Sequence, residues 1–253
     1  MSRDPYRIWI LSGLPGVLTG AMEEGILRIA QEKGLARVQV INLRDHTDDR
    51  HRTIDDAPYG GGPGMILMVE PVIRALRALP EADGNREVFL LSPRGETLVQ
   101  KRVEELSKLD ELVLICGRYK GVDERIRTYI TGELSLGDYV LSGGELAAAV
   151  IADAIVRLLP DVLGCYDSAL GDSFTSGLLD SSYYTRPEVF DGLSVPPVLL
   201  SGHHGKVEKW RRMDSLQRTL IHRPDLLEGS ELTPEDQAHL RKLGWEPIER
   251  CDT

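Results

Sequence analysis

The chain has 253 residues, 42% of them hydrophobic and 28% charged, and a formal net charge of −10; this suits one large domain or a domain with a smaller partner. No apolar run nears the roughly 18 residues that span a bilayer, and the opening MSRDPYRIWIL has no small-residue cleavage site, so neither a membrane span nor a signal peptide is predicted. Cys116, Cys165 and Cys251 lie far apart and form no CxxC pair, which argues against disulfides and structural zinc and predicts a reducing, cytoplasmic setting.

Short runs rich in Ile, Val and Leu at 7–11, 38–43, 87–91 and 111–116 predict buried strands, with a shorter one at 133–135. Helical patterns fall between and after them, at 16–33, 69–78, 99–108, 123–129 and 145–159. Such alternation predicts an α/β fold with a mostly parallel sheet covered on both faces. Ligands of such sheets sit beyond the carboxyl ends of the strands, and there three glycine-bearing loops follow strands, at 92–95, 117–121 and 137–144. Two loops are long. The 44–64 segment mixes alternating charge with a glycine cluster, and loops beyond about 12–15 residues are usually functional or disordered. The 160–174 segment reads as an interdomain linker. Beyond it the pattern turns mostly helical, at 205–223 and 234–243, the latter opened by Thr233-Pro234-Glu235 as cap and first turn.

Several familiar motifs fail on spacing. The run 60–65 has Met65 where a dinucleotide loop needs its third glycine, and no strand precedes it. The run 202–207 lacks the gap and the Ser/Thr of a phosphate loop. Val140 and Leu141 before Ser142 exclude a nucleophile elbow, and no histidine pair has metalloprotease spacing, so no metal ligand is assigned.

The run LSLGDYVLSGGEL at 134–146 is the most informative segment. Its glycines let main-chain groups approach a ligand with no Cβ in the way, which suits a planar, hydrogen-bonding group such as adenine. Net acidity argues against a nucleic-acid partner. Yet Lys206, Lys209, Arg211, Arg212, Arg218 and Arg223 outnumber Glu208 and Asp214 on one helical segment, either a solvated face or a local basic strip. From pattern alone Arg157 is a helix-end cation or a functional one. Asp172, between Gly171 and Ser173, is a turn former or a catalytic carboxylate.

Taken together, ordered segments resemble the bacterial tRNA (guanine-N1)-methyltransferases, the TrmD type of the SPOUT superfamily. They are Arg50-His51-Arg52-Thr53 with Asp55-Asp56, the run PYGGGPGM from Pro58, LSPRG from Leu91, CGRY from Cys116 and GVDER from Gly121. The 137–146 run, Asp172-Ser173-Phe174, YTRPE from Tyr184, PPVLLSG from Pro196 and Trp210-Arg211-Arg212 continue the set, which covers nearly the whole chain.

The resemblance implies a mostly parallel sheet with a deep trefoil knot, and a small mainly helical C-terminal domain. It places a knotted S-adenosylmethionine-binding domain at 1–160, an interdomain linker at 161–174 and a helical tRNA-binding domain at 175–253. It implies a homodimer with the active site between subunits, tRNA as partner, and methylation of N1 of the guanosine just 3′ of the anticodon. Asp172 takes the place of the general base and Arg157 that of the cation facing the developing O6 charge. Leu91, Ser92, Pro93, Gly117, Tyr119, Leu136, Gly137, Asp138, Tyr139, Val140, Leu141, Gly143 and Gly144 take cofactor-binding places, and His51, Asp55, Tyr59, Gly60, Lys209, Arg211 and Arg212 substrate-binding ones. Lys120 departs from relatives that carry glutamate there, reversing the charge at a place where that glutamate would help to hold Mg²⁺ or balance the sulfonium. Two alternatives stay open: a SPOUT methyltransferase for another RNA position, and a non-catalytic tRNA-binding relative. The failed dinucleotide fingerprint counts against an oxidoreductase.

Overall fold

Glu111–Cys116 is buried along its whole length, as a strand whose residues after Glu111 are all apolar, flanked by two strands and covered on both faces, should be. In the computed structural model, which describes residues 4–163 and 172–246, the chain forms two compact units, Met1–Tyr166 and Asp167–Thr253. The first contains β1 (Tyr6–Ser12), α1 (Thr19–Glu23), α2 (Gly25–Glu32), β2 (Ala36–Asn42), β3 (Asp55–Asp56), β4 (Ile66–Leu67) and α3 (Val69–Ala78). It continues with β5 (Arg86–Thr97), α4 (Gln100–Leu106), β6 (Glu111–Cys116), β7 (Gly132–Ser135) and α5 (Glu145–Val156). Its main sheet runs β2-β1-β6-β5-β7, and every pairing in it is parallel. β3 and β4 form a separate antiparallel pair.

Alternation along the strands sorts side chains to two faces. Ile8, Ile10, Phe89, Leu91, Leu112, Leu114 and Cys116 join a core with Leu27 of α2, Val103 of α4 and Ala148, Ile151 and Ile155 of α5. Trp9, Leu11, Leu90, Val113 and Ile115 pack on the other side with Val72 and Ala75 of α3. At the amino end of the sheet the buried Glu111 accepts from Arg7 at 2.8 Å and from Arg86 Nε at 2.6 Å, fastening β1, β5 and β6 together. The carboxyl end is thereby left to the loops.

The structure corrects some boundaries. The helix expected at 16–33 is a 3₁₀ turn at Pro15–Val17, then α1, then α2. Glu24 is extended and Gly25 has φ +60°, a break that apolar spacing alone does not reveal. The 123–129 stretch is a 3₁₀ helix over Glu124–Tyr129. The 44–64 segment is partly ordered, since a 3₁₀ turn (Leu43–His46) leads into it and it contains β3. The 92–95 loop does not end its strand: Leu134 pairs with both Leu91 and Glu96, so these four residues arch out of β5 and the strand resumes. Of the expected linker, 164–171 lie outside the described residues.

The second unit has a hairpin of β8 (Val189–Phe190) and β9 (Leu193–Ser194), followed by α6 (Pro197–Leu200), α7 (His204–His222), a 3₁₀ turn (Pro224–Glu228) and α8 (Pro234–Lys242). Leu178, Leu216, Leu227 and Leu240 are its buried core. α8 begins on a capping box in which Thr233 and Asp236 bond reciprocally. Arg212 of α7 donates to the buried Asp236 carboxylate at 2.8 and 3.2 Å. Burial pushes that carboxyl up, but the bonds from Arg212 and Thr233 outweigh it and hold it below its ordinary value.

Arg212→Ala strands a buried carboxylate. Because Arg212 is partly exposed, the expected loss is at the low end for a broken buried pair, about 3 kcal/mol in urea unfolding. A depressed carboxyl stabilises the fold above its unfolded pKa, and that contribution fades as pH falls toward the folded value. The gap between wild type and variant should therefore narrow below about pH 4. Equal stability at pH 7 would contradict the assignment.

Candidate functional site

The arch within β5 and the segments that leave the carboxyl ends of β6 and β7 close around one cavity of about 550 Å³, within the roughly 300–1,000 Å³ typical of ligand pockets. The 92–95 arch, the 117–122 segment and the 134–144 segment supply most of its wall. Glycine makes their approach possible. A Cβ on Gly144 would stand 2.8 Å from the Cys116 Cα, and one on Gly95 would meet main-chain atoms of Glu133 and Leu134 at 2.5–2.6 Å. Gly144 N–H donates to the Gly117 carbonyl at 2.8 Å, and Arg118 bridges Gly143 in antiparallel fashion. Chain therefore lies on chain here.

A buried polar network holds this arrangement. Glu145, first residue of α5 and 2% exposed, accepts from the Ser12 hydroxyl and from Arg118, each at 2.8 Å. The helix amino end favours that carboxylate. One acid thus joins the end of β1 to the 117–121 loop. Neither Glu145 nor Ser12 was picked out from sequence; their partners lie 27 and 133 positions apart, and the only local signal is an acid directly after two glycines. A second link runs outward from Tyr119, whose backbone is left-handed at φ +61°. Burial raises its phenol pKa, and a hydrogen bond to Asp55 raises it further. Tyr119 and Val122 also bridge to Ile66 and Leu67 of β4.

All the cofactor-binding positions expected from the resemblance line this cavity except Asp138, which lies on the same loop outside the lining. Asp55 reaches the cavity wall through Tyr119. His51 is exposed and donates its N–H to Asp49 at 3.0 Å, Tyr59 is fully exposed, and Gly60 has φ +83°. Arg157 is half-buried and ends α5, its N–H on the Asp153 carbonyl. In the second unit, Asp172 accepts from Thr175 N–H through its carbonyl at 3.3 Å. Lys209 pairs with Glu235, Arg211 lies over the Tyr183 ring at 5.8 Å, and Arg212 is held by Asp236.

The cavity has room for the adenosyl donor that the resemblance implies, since at Gly117, Gly137, Gly143 and Gly144 no Cβ stands between the main chain and a ligand. Mg²⁺ does not fit. No group of three or more His, Cys, Asp or Glu suited to a metal occurs among the described residues. The charged side chains lining the cavity, Arg94, Arg118, Lys120 and Arg127, are all cations. No helix among the described residues is long and apolar enough to cross a membrane.

The chain is similar to known proteins over most of its length. The family profile described as tRNA (Guanine-1)-methyltransferase TrmD matches residues 6–229. Among similar proteins, the tRNA (guanine-N(1)-)-methyltransferase of Dictyoglomus turgidum is 51% identical over 94% of this chain and 96% of its own. The proteins of the same name from Geobacillus kaustophilus, 48% identical over 95% and 98%, and Chloroflexus aurantiacus, 49% identical over 95% and 97%, are alike over the same extent.

Proposed function

Because the chain belongs to the tRNA (guanine-1)-methyltransferase family, we propose that it carries a methyl group from S-adenosylmethionine to N1 of the guanosine just 3′ of the anticodon. The observation that carries this reading is the convergence of three glycine-bearing segments on one mainly apolar cavity. A preformed apolar cavity of this kind takes up a planar heterocycle at little entropic cost. The close contacts at Gly95, Gly117 and Gly144 support a deep trefoil knot through these loops, an exception to the near-absence of knots.

The donor supplies an electrophilic methyl group on its sulfonium. The protein must strip the N1 proton from guanine, orient the base and steady the charge that moves to O6. Asp172 takes the proton as general base. Arg157 faces O6, where a fixed guanidinium offsets the negative charge that grows as the proton leaves. Leu136, Gly137, Tyr139, Leu141 and Gly117 hold the adenosine end, so that the methyl group meets N1 in line. No step is assigned to Mg²⁺.

The domain at 1–160 binds the donor, 161–174 links it to the rest, and the small, mainly helical domain at 175–253 binds tRNA. There the α7 strip, with Lys209 and Arg211, meets phosphates, so that a chain of net charge −10 binds RNA locally and with marked salt dependence. The target base is splayed out to expose its edge. Exposed Leu146 and Val150 on α5 and Val140 beside it support a homodimer that completes the active site. The enzyme works in the cytoplasm.

Incubation with labelled S-adenosylmethionine and unmodified tRNA, then digestion to nucleosides, tests the reaction. Label in 1-methylguanosine is the expected result. Label in another nucleoside would favour the family fold acting on a different RNA atom.

A further inference from the structure

Four cations line the cavity, and three of them are spoken for. Arg94 pairs with Glu124 at 3.3 Å, Arg118 with Glu145 at 2.8 Å, and Arg127 with Glu124 at 2.6 Å and also with Glu133. Lys120 is the exception, having no carboxylate partner among the described residues. Asp55 is engaged by the Tyr119 hydroxyl, and Asp138 lies outside the lining.

Its place is well defined. Lys120 N–H donates to the Met65 carbonyl at 3.1 Å. Gly64, at φ +92°, lies so close that a Cβ there would stand 3.4 Å from Lys120 Cβ and 3.5 Å from its Cδ. The stem is thus lodged against the glycine cluster at 60–64 while the residue lines the cavity. It stands where the donor cavity adjoins the segment assigned to the target nucleotide.

We propose that the Lys120 ammonium is an oxyanion-binding site of this cavity. Lys120 is exposed at the cavity wall. Its head is a compact charge with three donors, with no carboxylate among the described residues competing for it, and an anionic oxygen entering the cavity gains a charge-assisted bond from it. The ligand is therefore a group carrying an oxyanion. Two sources share that chemistry: the carboxylate on the amino-acid tail of the donor, and an anionic oxygen of the target nucleotide. Either role makes Lys120 a specificity determinant that neighbouring arginines, already neutralised, cannot replace. The proposal rests on the methyl-transfer reading above.

The test uses the full-length protein as wild type, Lys120→Met and Lys120→Arg. Calorimetry measures binding of S-adenosylhomocysteine and of 5′-methylthioadenosine, which keeps the adenosine thioether but has no carboxylate; methyl transfer to tRNA is measured in parallel. If the donor tail is the source, Lys120→Met weakens S-adenosylhomocysteine roughly tenfold and leaves methylthioadenosine nearly unchanged, as loss of one charge-assisted bond predicts. If the nucleotide is the source, both thioethers bind as before and kcat/KM for tRNA falls by about the same factor. Lys120→Arg recovers most of the loss in either case. Lys120→Met with all three quantities unchanged would overturn the proposal and leave the reaction intact. Failure of the wild type to bind either thioether would overturn the methyl-transfer reading, and the proposal with it.

Discussion

Asp172→Asn is expected to lower turnover by about 10³-fold, in the middle of the range for loss of a general base, while S-adenosylmethionine affinity stays as in wild type. Guanine N1 holds its proton at neutral pH, and its lone pair becomes nucleophilic only as that proton departs. The amide of asparagine matches the carboxylate in size but cannot accept the proton as a base. Binding and catalysis therefore separate cleanly in this variant: the donor cavity belongs to the first unit, and residue 172 to the second. Single-turnover rates at saturating donor and tRNA measure the loss directly. A rate near that of wild type would remove Asp172 from the chemistry. Arg157 would then be left as the one assigned group acting on the base.

Gly95→Ala should be the most damaging of the small substitutions. The added methyl would stand 2.5 Å from the Glu133 carbonyl carbon and the Leu134 nitrogen and 2.6 Å from the Leu134 carbonyl carbon. These are main-chain atoms of β7, so no side chain can turn away. Relief requires parting β5 from β7 where the strand arches and returns. Overpacking usually costs roughly 1–3 kcal/mol; a clash with backbone belongs at the top of that range, about 3 kcal/mol. Ser92, Pro93 and Arg94 on the arch line the cavity, so donor affinity should fall along with stability. Gly20→Ala provides the control. Nothing lies within 4 Å of a Cβ there, and the residue sits in α1, where alanine is favoured over glycine by up to about 1 kcal/mol. Urea unfolding of both variants, with calorimetry on S-adenosylhomocysteine, distinguishes the two sites. Equal stability of the two would show that close chain passage does not constrain this region.

The strands were legible as short apolar runs, and their limits hold to within a residue or two except where β5 arches and resumes beyond 91. Only β1 and β6 are buried nearly throughout, whereas β2, expected to be buried, is an edge strand with Ala36 alone buried. α5 was legible in the same way, although its regular part stops at Val156. The cavity loops were visible as glycines after strands. What glycine spacing could not convey was the partner: Gly95 is needed because of Glu133 and Leu134, and Gly144 because of Cys116. Three-dimensional pairings of this kind leave no periodic trace. The same holds for Glu145, whose acid lies at the start of a helix yet serves Arg118 and Ser12. Arg212 was legible as one member of a basic strip, whereas its bond to Asp236 appears only once α7 and α8 are packed. The break at Glu24–Gly25 escaped because apolar spacing continues across it while the backbone does not. Charge at the cavity was half legible. Lys120 stood out as a departure, but its isolation emerged only when each neighbouring arginine was found with its own carboxylate.

The most direct test of the account uses two tRNA transcripts that differ only at the nucleotide 3′ of the anticodon, guanosine in one and adenosine in the other. With labelled S-adenosylmethionine and wild-type protein, the guanosine transcript should take up label and the adenosine transcript should not. Equal labelling of both, or labelling of neither, would contradict methyl transfer to that guanine.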